Sequence, residues 1–163
     1  RLAHSVLCRH DRVYMEKTLV LIKPDAMQRG LAGEVLSRLE RRGLRIIATK
    51  FVQISDELAR QHYSEHEGKP FFPGLVDYIT SSPVLAVIFE GTNAVSAVRA
   101  TVGSTNPAEA NAGTIRGDLG IETGRNLVHA SDSVESGIRE SNIFFDQSEI
   151  HSWNRSIDEW VFE

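Results

Sequence analysis

Along the chain, continuous apolar runs alternate with stretches in which apolar residues fall at helical spacing. The run TLVLIK (18–23) is continuous and β-rich, and Pro24 closes it. Over LAGEVLSRLERRG (31–43), Leu31, Val35 and Leu39 fall four apart, the spacing of one helical face, and Gly43 stands where a helix end favours glycine. A second strand is predicted over 44–54. Ser55 followed by Asp56 and Glu57 predicts a capped, acid-led helix running to about Glu65. GKPFFPG is rich in breakers and predicts a turn before a short helix over 75–82. PVLAVIFEG (83–91) is apolar enough for a central strand buried on both faces. Residues 92–103 then predict an amphipathic helix capped by Thr92 or Asn93. From 103 to 124 no period survives, and a loop of that length in a compact domain is functional or mobile. NLVH (126–129) reads as a short strand giving way to Ser131, Asp132 and Ser133, favoured N-cap residues, and to a helix opening with Val134 and Ile138.

Strands separated by helices predict an α/β (α+β) sandwich, with helices covering a sheet. Two β-α-β units in succession fit a ferredoxin-like four-stranded antiparallel sheet, with an extra helical pair inserted between strands two and three. A chain of 163 residues is long enough for one domain with its own core. Its 41% hydrophobic and 25% charged residues suit a globular rather than a disordered chain. Eighteen Lys and Arg against 22 Asp and Glu argue against a general nucleic-acid binder but leave room for a small basic pocket. The single Cys8 excludes an internal disulfide and points to a reducing, cytoplasmic setting, and no apolar run approaches the roughly 20 residues of a membrane span. Residues 1–14 lack a period and are expected to be a poorly ordered, functionally silent extension, natural or vector-derived; residues 15–163 are expected to form one domain.

Chemistry is harder to read. HYSEH (62–66) matches the inverted zinc-protease pattern H-x-x-E-H, placing His62 and His66 at i,i+4, yet no third ligand stands out downstream. Neither G-x-x-x-x-G-K-[ST] nor G-x-G-x-x-G occurs, so a nucleotide would have to bind without a phosphate loop of those kinds. What remains are polar residues at element ends: Lys23, Arg99, Thr105, Arg116 and Asn126, with His129 just upstream of a helix N-terminus, where an anion is favoured. One Lys and two Arg around a nucleophile suit phosphoryl transfer, which spreads negative charge over oxygens. Singly, each cation reads first as a solvated surface charge and His129 as a hydrogen-bonding residue without chemistry.

Taken together, TLVLIKPDAMQRG, QHYSEHEGKPFFPGLVDYI, TNPAEANAGTIRGD, GRNLVHASDSVESGIRE and the terminal EWVFE resemble nucleoside diphosphate kinase throughout residues 15–163. The resemblance implies a ping-pong phosphotransferase that moves the γ-phosphate of a nucleoside triphosphate, typically ATP, to a nucleoside diphosphate through a phosphohistidine on His129. It implies that Glu140 bonds the other ring nitrogen and that Ser131 supports Glu140. Arg99, Thr105 and Arg116 would bind phosphates, with Mg²⁺ arriving on the nucleotide rather than on protein ligands. Lys23 and Asn126 would bind the ribose hydroxyls, Lys23 also lying near the transferring phosphate. Phe71 and Leu75 would sandwich the base, Thr123 would line its slot, and Tyr63 would lie near the phosphates, with Phe72 left to the core. On this reading both HYSEH histidines are surface residues. Ala130 departs from the family's usual glycine and would be constrained if that position needed positive φ. The ending also implies a hexamer rather than a tetramer, with Trp160, Val161 and Phe162 buried by a neighbour. A catalytically silent nucleotide-binding scaffold is the alternative, and the intact set of matched positions speaks against it.

Overall fold

Four strands form one antiparallel sheet in the order β2-β3-β1-β4: β1 (Glu16–Ile22), β2 (Arg45–Val52), β3 (Val84–Gly91) and β4 (Val128–Ala130). The computed structural model describes residues 14–163, so the expected N-terminal extension, apart from Tyr14, lies outside the described residues. β1 and β3 are the apolar runs, and they occupy the centre because only there are both faces covered. Alternate side chains divide between two cores. Leu19, Leu21, Ala86 and Ile88 face one; Val20, Ile22, Val87 and Phe89 face the other. The first core is covered by α3 (Asp56–His62), α4 (Phe72–Ile79) and α7 (Val134–Phe144), through Ala59, Val76, Ile79 and Phe144. The second is covered by α2 (Ala32–Arg41) and α5 (Ala94–Val102), through Val35, Leu39, Ala94 and Val98. This is the expected ferredoxin-like arrangement, with the α3–α4 pair inserted between β2 and β3.

Several boundaries differ from the pattern, each for a local reason. Pro24 ends β1 but also opens a helix, α1 (Pro24–Gln28), at the first helical position, where its missing N–H costs nothing. α3 stops at His62, and α4 begins at Phe72, inside the stretch read as a turn, with Pro73 in the tolerant first turn. Asn93 precedes α5 in left-handed backbone (φ 53) and makes no side-chain cap; the Glu16 carboxylate accepts the Val95 N–H instead, at 3.1 Å. Nor is 103–124 structureless. Short 3₁₀ turns at 107–109 and 123–125 flank α6 (Ile115–Leu119), which Thr114 caps by accepting the Gly117 N–H. Asp118 accepts the Gly113 N–H at 2.8 Å and an Arg38 N–H at 2.6 Å. Bonds of this kind order a loop without leaving any period in the sequence.

Two contacts place the site. α7 lies so close to β1 that a Cβ on Gly137 would stand 2.4 Å from the Lys17 carbonyl oxygen. After α7 the chain returns across β2, where the His151 N–H donates to the Ile47 carbonyl at 2.9 Å. Buried Arg45 pairs with Glu90 at 2.5 Å and Asp158 at 2.9 Å, clamping the last turn down. Val161 thereby lies over Gly43, and Phe162 reaches Gly91. Two of the three terminal apolar residues assigned to a neighbouring subunit are thus packed, in part, on their own chain. Trp160 remains 84% exposed.

Candidate active site

A single cleft of about 830 Å³ opens between the α3–α4 pair and the 103–126 segment, a volume suited to a nucleotide-sized ligand. His129 enters it from β4, paired opposite Leu21 on β1. α7 carries Glu140 back to the same place, with Glu140 Oε2 3.0 Å from His129 Nε2. Ser131 Oγ donates to that same oxygen at 2.6 Å and accepts the Leu19 N–H at 3.1 Å, so the sheet backbone fixes the serine, the serine fixes the carboxylate, and the carboxylate fixes the ring. Burial pulls the Glu140 pKa up, but the His129 bond and charge and the Ser131 hydroxyl outweigh it and hold the group below the usual glutamate range. An ionised carboxylate only accepts, so Nε2 carries a proton, and in the neutral ring Nδ1 then keeps a free lone pair. The helix N-cap is Ser133, which accepts the Ser136 N–H at 3.0 Å, leaving Ser131 free for this chain. Among the described residues only Asn93 and Leu127 are non-glycine residues at positive φ, so Ala130 sits in ordinary backbone and its methyl group is no constraint.

Leu127 (φ 73) is the unusual one. The Val128 N–H donates to the Asn126 carbonyl at 2.8 Å, which closes a γ-turn centred on Leu127. Backbone of this kind in a non-glycine residue costs on the order of 1–3 kcal/mol. Its effect is geometric. Residues three apart in a strand point to opposite faces, yet Asn126 and His129 both line the cleft. Asn126 Oδ1 accepts from Lys23 Nζ at 2.7 Å while its amide donates to the Thr105 carbonyl at 2.9 Å.

The cations crowd one another. Burial, and then Arg116, lower the Lys23 pKa to about 8. Burial, and then Arg99, lower that of Arg116 to about 10. Three positive charges gathered at mutual cost make a site for a polyanion. They are not equivalent. Arg99 is exposed on α5, whereas Arg116 spends much of its fork on backbone, donating to the carbonyls of Asn126 (3.1 Å), Gly103 (3.1 Å) and Val128 (2.6 Å). Arg116 therefore braces the γ-turn as well as charging the cleft.

At the outer end Phe71 is 55% exposed, Leu75 lies beside it on α4, and Thr123 faces them from the 3₁₀ turn. Phe72, as expected, is in the core. Tyr63 is buried against the site with its ring 6.3 Å from His129, and its hydroxyl has no partner among the described residues. The eleven expected wall residues share this one cleft, with Ser131 behind them.

Residue patterns missed two participants and misplaced a third. Asp25 accepts the Leu127 N–H, and the Arg125 guanidinium lies 4.3 Å over the Tyr78 ring beside the base slot. His62 is not a surface residue: it is 3% exposed, edge-on to His129 at 4.6 Å between centroids, with neither nitrogen bonded. Burial, and then the positive charge that His129 carries when protonated, hold its pKa at about 3, so it is a neutral wall. α3 ends at His62 and His66 lies in the next turn, so the two do not form a helical zinc pair; the H-x-x-E-H match carried no signal of the true position. Among the described residues, the group with metal-ligand spacing is His62, His129 and Glu140, with ligand atoms within 4.8 Å of one another. Two imidazoles and one carboxylate suit a zinc-like ion better than Mg²⁺, which prefers oxygen ligands.

Known proteins resemble this chain over most of its length. The family model described as nucleoside diphosphate kinase matches residues 16–150. The nucleoside diphosphate kinase of Herpetosiphon aurantiacus is 57% identical over 149 residues, covering 91% of this chain and 100% of that one. That of Archaeoglobus fulgidus is 56% identical over 149 residues, covering 91% and 99%. The solved structure of a halophilic nucleoside diphosphate kinase from Halobacterium salinarum in complex with CDP superposes with a TM-score of 0.90 at 47% identity, over 92% of this chain and all of that one.

Proposed function

The chain belongs to the nucleoside diphosphate kinase family and transfers phosphate between nucleoside tri- and diphosphates, and from that premise we propose that the transfer runs through a phosphohistidine on His129. The observation that carries this reading is the relay Leu19–Ser131–Glu140–His129, which ends with a free nitrogen lone pair in a cleft ringed by Lys23, Arg99 and Arg116. In the first half-reaction His129 Nδ1 attacks the γ-phosphorus. The N–P bond forms as the bond to the bridging oxygen breaks, and the electron pair leaves with the nucleoside diphosphate. In the second half-reaction a terminal oxygen of another nucleoside diphosphate attacks the phosphohistidine, and Nδ1 takes back its electron pair. Glu140 holds Nε2–H throughout and stabilises the positive charge on the ring as the bond forms.

On this reading Arg99, Thr105, Arg116 and Tyr63 contact the phosphates, and Lys23 and Asn126 take the ribose hydroxyls. Phe71 and Leu75 hold the base against Thr123. Stacking reads a π-face that every base has, so the enzyme accepts all nucleoside diphosphates. Mg²⁺ supplies further neutralisation of the phosphates and is held by them. The reading also takes residues 15–163 as one kinase domain, in a cytoplasmic protein assembled as a hexamer. The exposed Trp160, and Phe51, 65% exposed on the edge strand β2, support such an assembly. No helix among the described residues is long and apolar enough to cross a membrane.

Incubation with γ-labelled ATP and Mg²⁺ tests the central claim. The protein is expected to take up an acid-labile, base-stable label and pass it to GDP, while His129→Ala takes up none. A labelled alanine variant that still donates to GDP would overturn the assignment.

A further inference from the structure

Asn126 and His129 can share a cleft only because the chain reverses at Leu127, and a reversal through left-handed backbone in a bulky residue needs something to hold it. The Leu127 side chain is fully buried, its carbonyl accepts the Lys23 N–H at 2.9 Å, and its own N–H points to Asp25 Oδ2 at 3.0 Å. The other oxygen of Asp25 accepts the Tyr78 hydroxyl from α4, the helix that carries Leu75 and starts beside Phe71. Asp25 therefore stands where the ribose end, the nucleophile strand and the base-slot helix meet, two residues after Lys23 and directly after the proline that turns the chain from β1 into α1.

We propose that Asp25 is a positioning residue for phosphotransfer: its carboxylate holds the Leu127 turn, so that Asn126 and His129 face one cleft, and ties that turn to α4. The inference rests on the roles given above to His129 and Asn126. An apolar residue at 25 would leave the Leu127 N–H without its acceptor, and the strained turn could relax to extended backbone, swinging the Asn126 amide away from Lys23 Nζ. A second consequence is electrostatic. The groups that face Lys23 are Arg116 from α6, His62 from α3 and Asp25 from α1, and Asp25 is the one whose charge favours the ammonium form.

Steady-state kinetics on Asp25→Ala, Asp25→Asn and Tyr78→Phe, with ribonucleoside diphosphates and their 2′,3′-dideoxy analogues as acceptors, test the proposal. Asp25→Ala is expected to lose about 10- to 100-fold in kcat/KM for ribonucleotides, as a displacement of positioning groups commonly does. Its preference for ribo over dideoxy acceptors should fall toward one, because Asn126 no longer meets the sugar. Asp25→Asn keeps an oxygen for the Leu127 N–H but loses the charge, so it should retain more of that preference while its alkaline activity limb moves to lower pH. Tyr78→Phe should show a smaller fall in the ribo preference than Asp25→Ala. A full wild-type preference in Asp25→Ala, or an unmoved alkaline limb in Asp25→Asn, would overturn the proposal; wild-type preference in Tyr78→Phe would overturn the tie to α4. Should the alanine variant fail to fold, the isosteric Asn variant and Tyr78→Phe decide the matter. Failure of the underlying reading shows differently, as absent His129 label or absent ribo preference in the wild-type enzyme.

Discussion

The two ends of the cleft are built on different terms. At the inner end His62, Ser131 and Glu140 are each at most 5% exposed, and His129 sits on a strand hydrogen-bonded into the sheet. At the outer end Phe71 is 55% exposed, and Thr123 stands in solvent on a loop. The inner end handles one unchanging group, a phosphoryl, and gains from a geometry set before the substrate arrives. The outer end meets differing bases and gains from contacts that do not depend on the pattern of donors and acceptors. Rigidity is concentrated where the chemistry repeats.

Substitutions are therefore expected to hurt in proportion to their depth. Glu140→Gln keeps the shape but loses the charge that holds the Nε2 proton, and is expected to lower kcat by about 10²-fold or more, as loss of a ring-orienting carboxylate does. Pre-steady-state labelling would show both half-reactions slowed alike, and a near-wild-type kcat would break the comparison at its strongest point. Gly137→Ala places a methyl group against the Lys17 carbonyl, so α7 must move off β1. Overpacking of this kind costs about 1–3 kcal/mol, and thermal unfolding should register it together with a fall in kcat, because α7 carries Glu140.

Lys23 lies between the two ends and predicts a pH signature. Its folded pKa of about 8 lies below the ordinary 10.5, so between those values the unfolded chain binds more protons. Over that window Lys23 adds stability as pH rises, while its charge, and with it nucleotide affinity, is lost. KM for nucleoside diphosphates should climb above pH about 8 in the wild type and stay flat in Lys23→Met. In denaturant titrations the wild type should gain stability relative to that variant across the same window. Parallel stability curves, or a wild-type KM as flat as the variant's, would count against it. The smallest effect belongs to the outer end. Phe71→Ala should raise KM by about fivefold to tenfold, the low end of base–aromatic stacking for a half-exposed ring, and by the same factor for all bases. A factor that differed strongly between ADP and CDP would mean that the slot reads base edges after all.

The sheet and the inserted helical pair were legible in the chain, because continuous apolar runs mark strands and apolar spacings of four mark the helices that cover them; that helices cover both faces emerged from the fold. The matched blocks pointed to the site residues, but residue types alone read Lys23, Arg99 and Arg116 first as surface charges. The C-terminal residues show the limit: Val161 and Phe162 read as apolar groups in need of a neighbour, and their own chain takes them in part through Gly43 and Gly91, contacts more than 70 residues apart in sequence at Gly91.

What the sequence determined by itself was therefore the four strands, the longer helices and the chemical inventory, since these follow from local periodicity and residue type. What only the tertiary structure decided was the direction in which groups face. H-x-x-E-H promised two histidines on one helix face; α3 ended early and left His62 against His129 instead, neutral because it is buried. Asn126 and His129, three residues apart, would have faced opposite ways had Leu127 stayed extended. Asp25 leaves no mark in the sequence, because a carboxylate after proline gives no sign that it will meet a backbone N–H 102 residues away. Such pairings depend on how three separately formed elements close on one another, and a left-handed residue held by a distant acceptor writes no pattern into its neighbours.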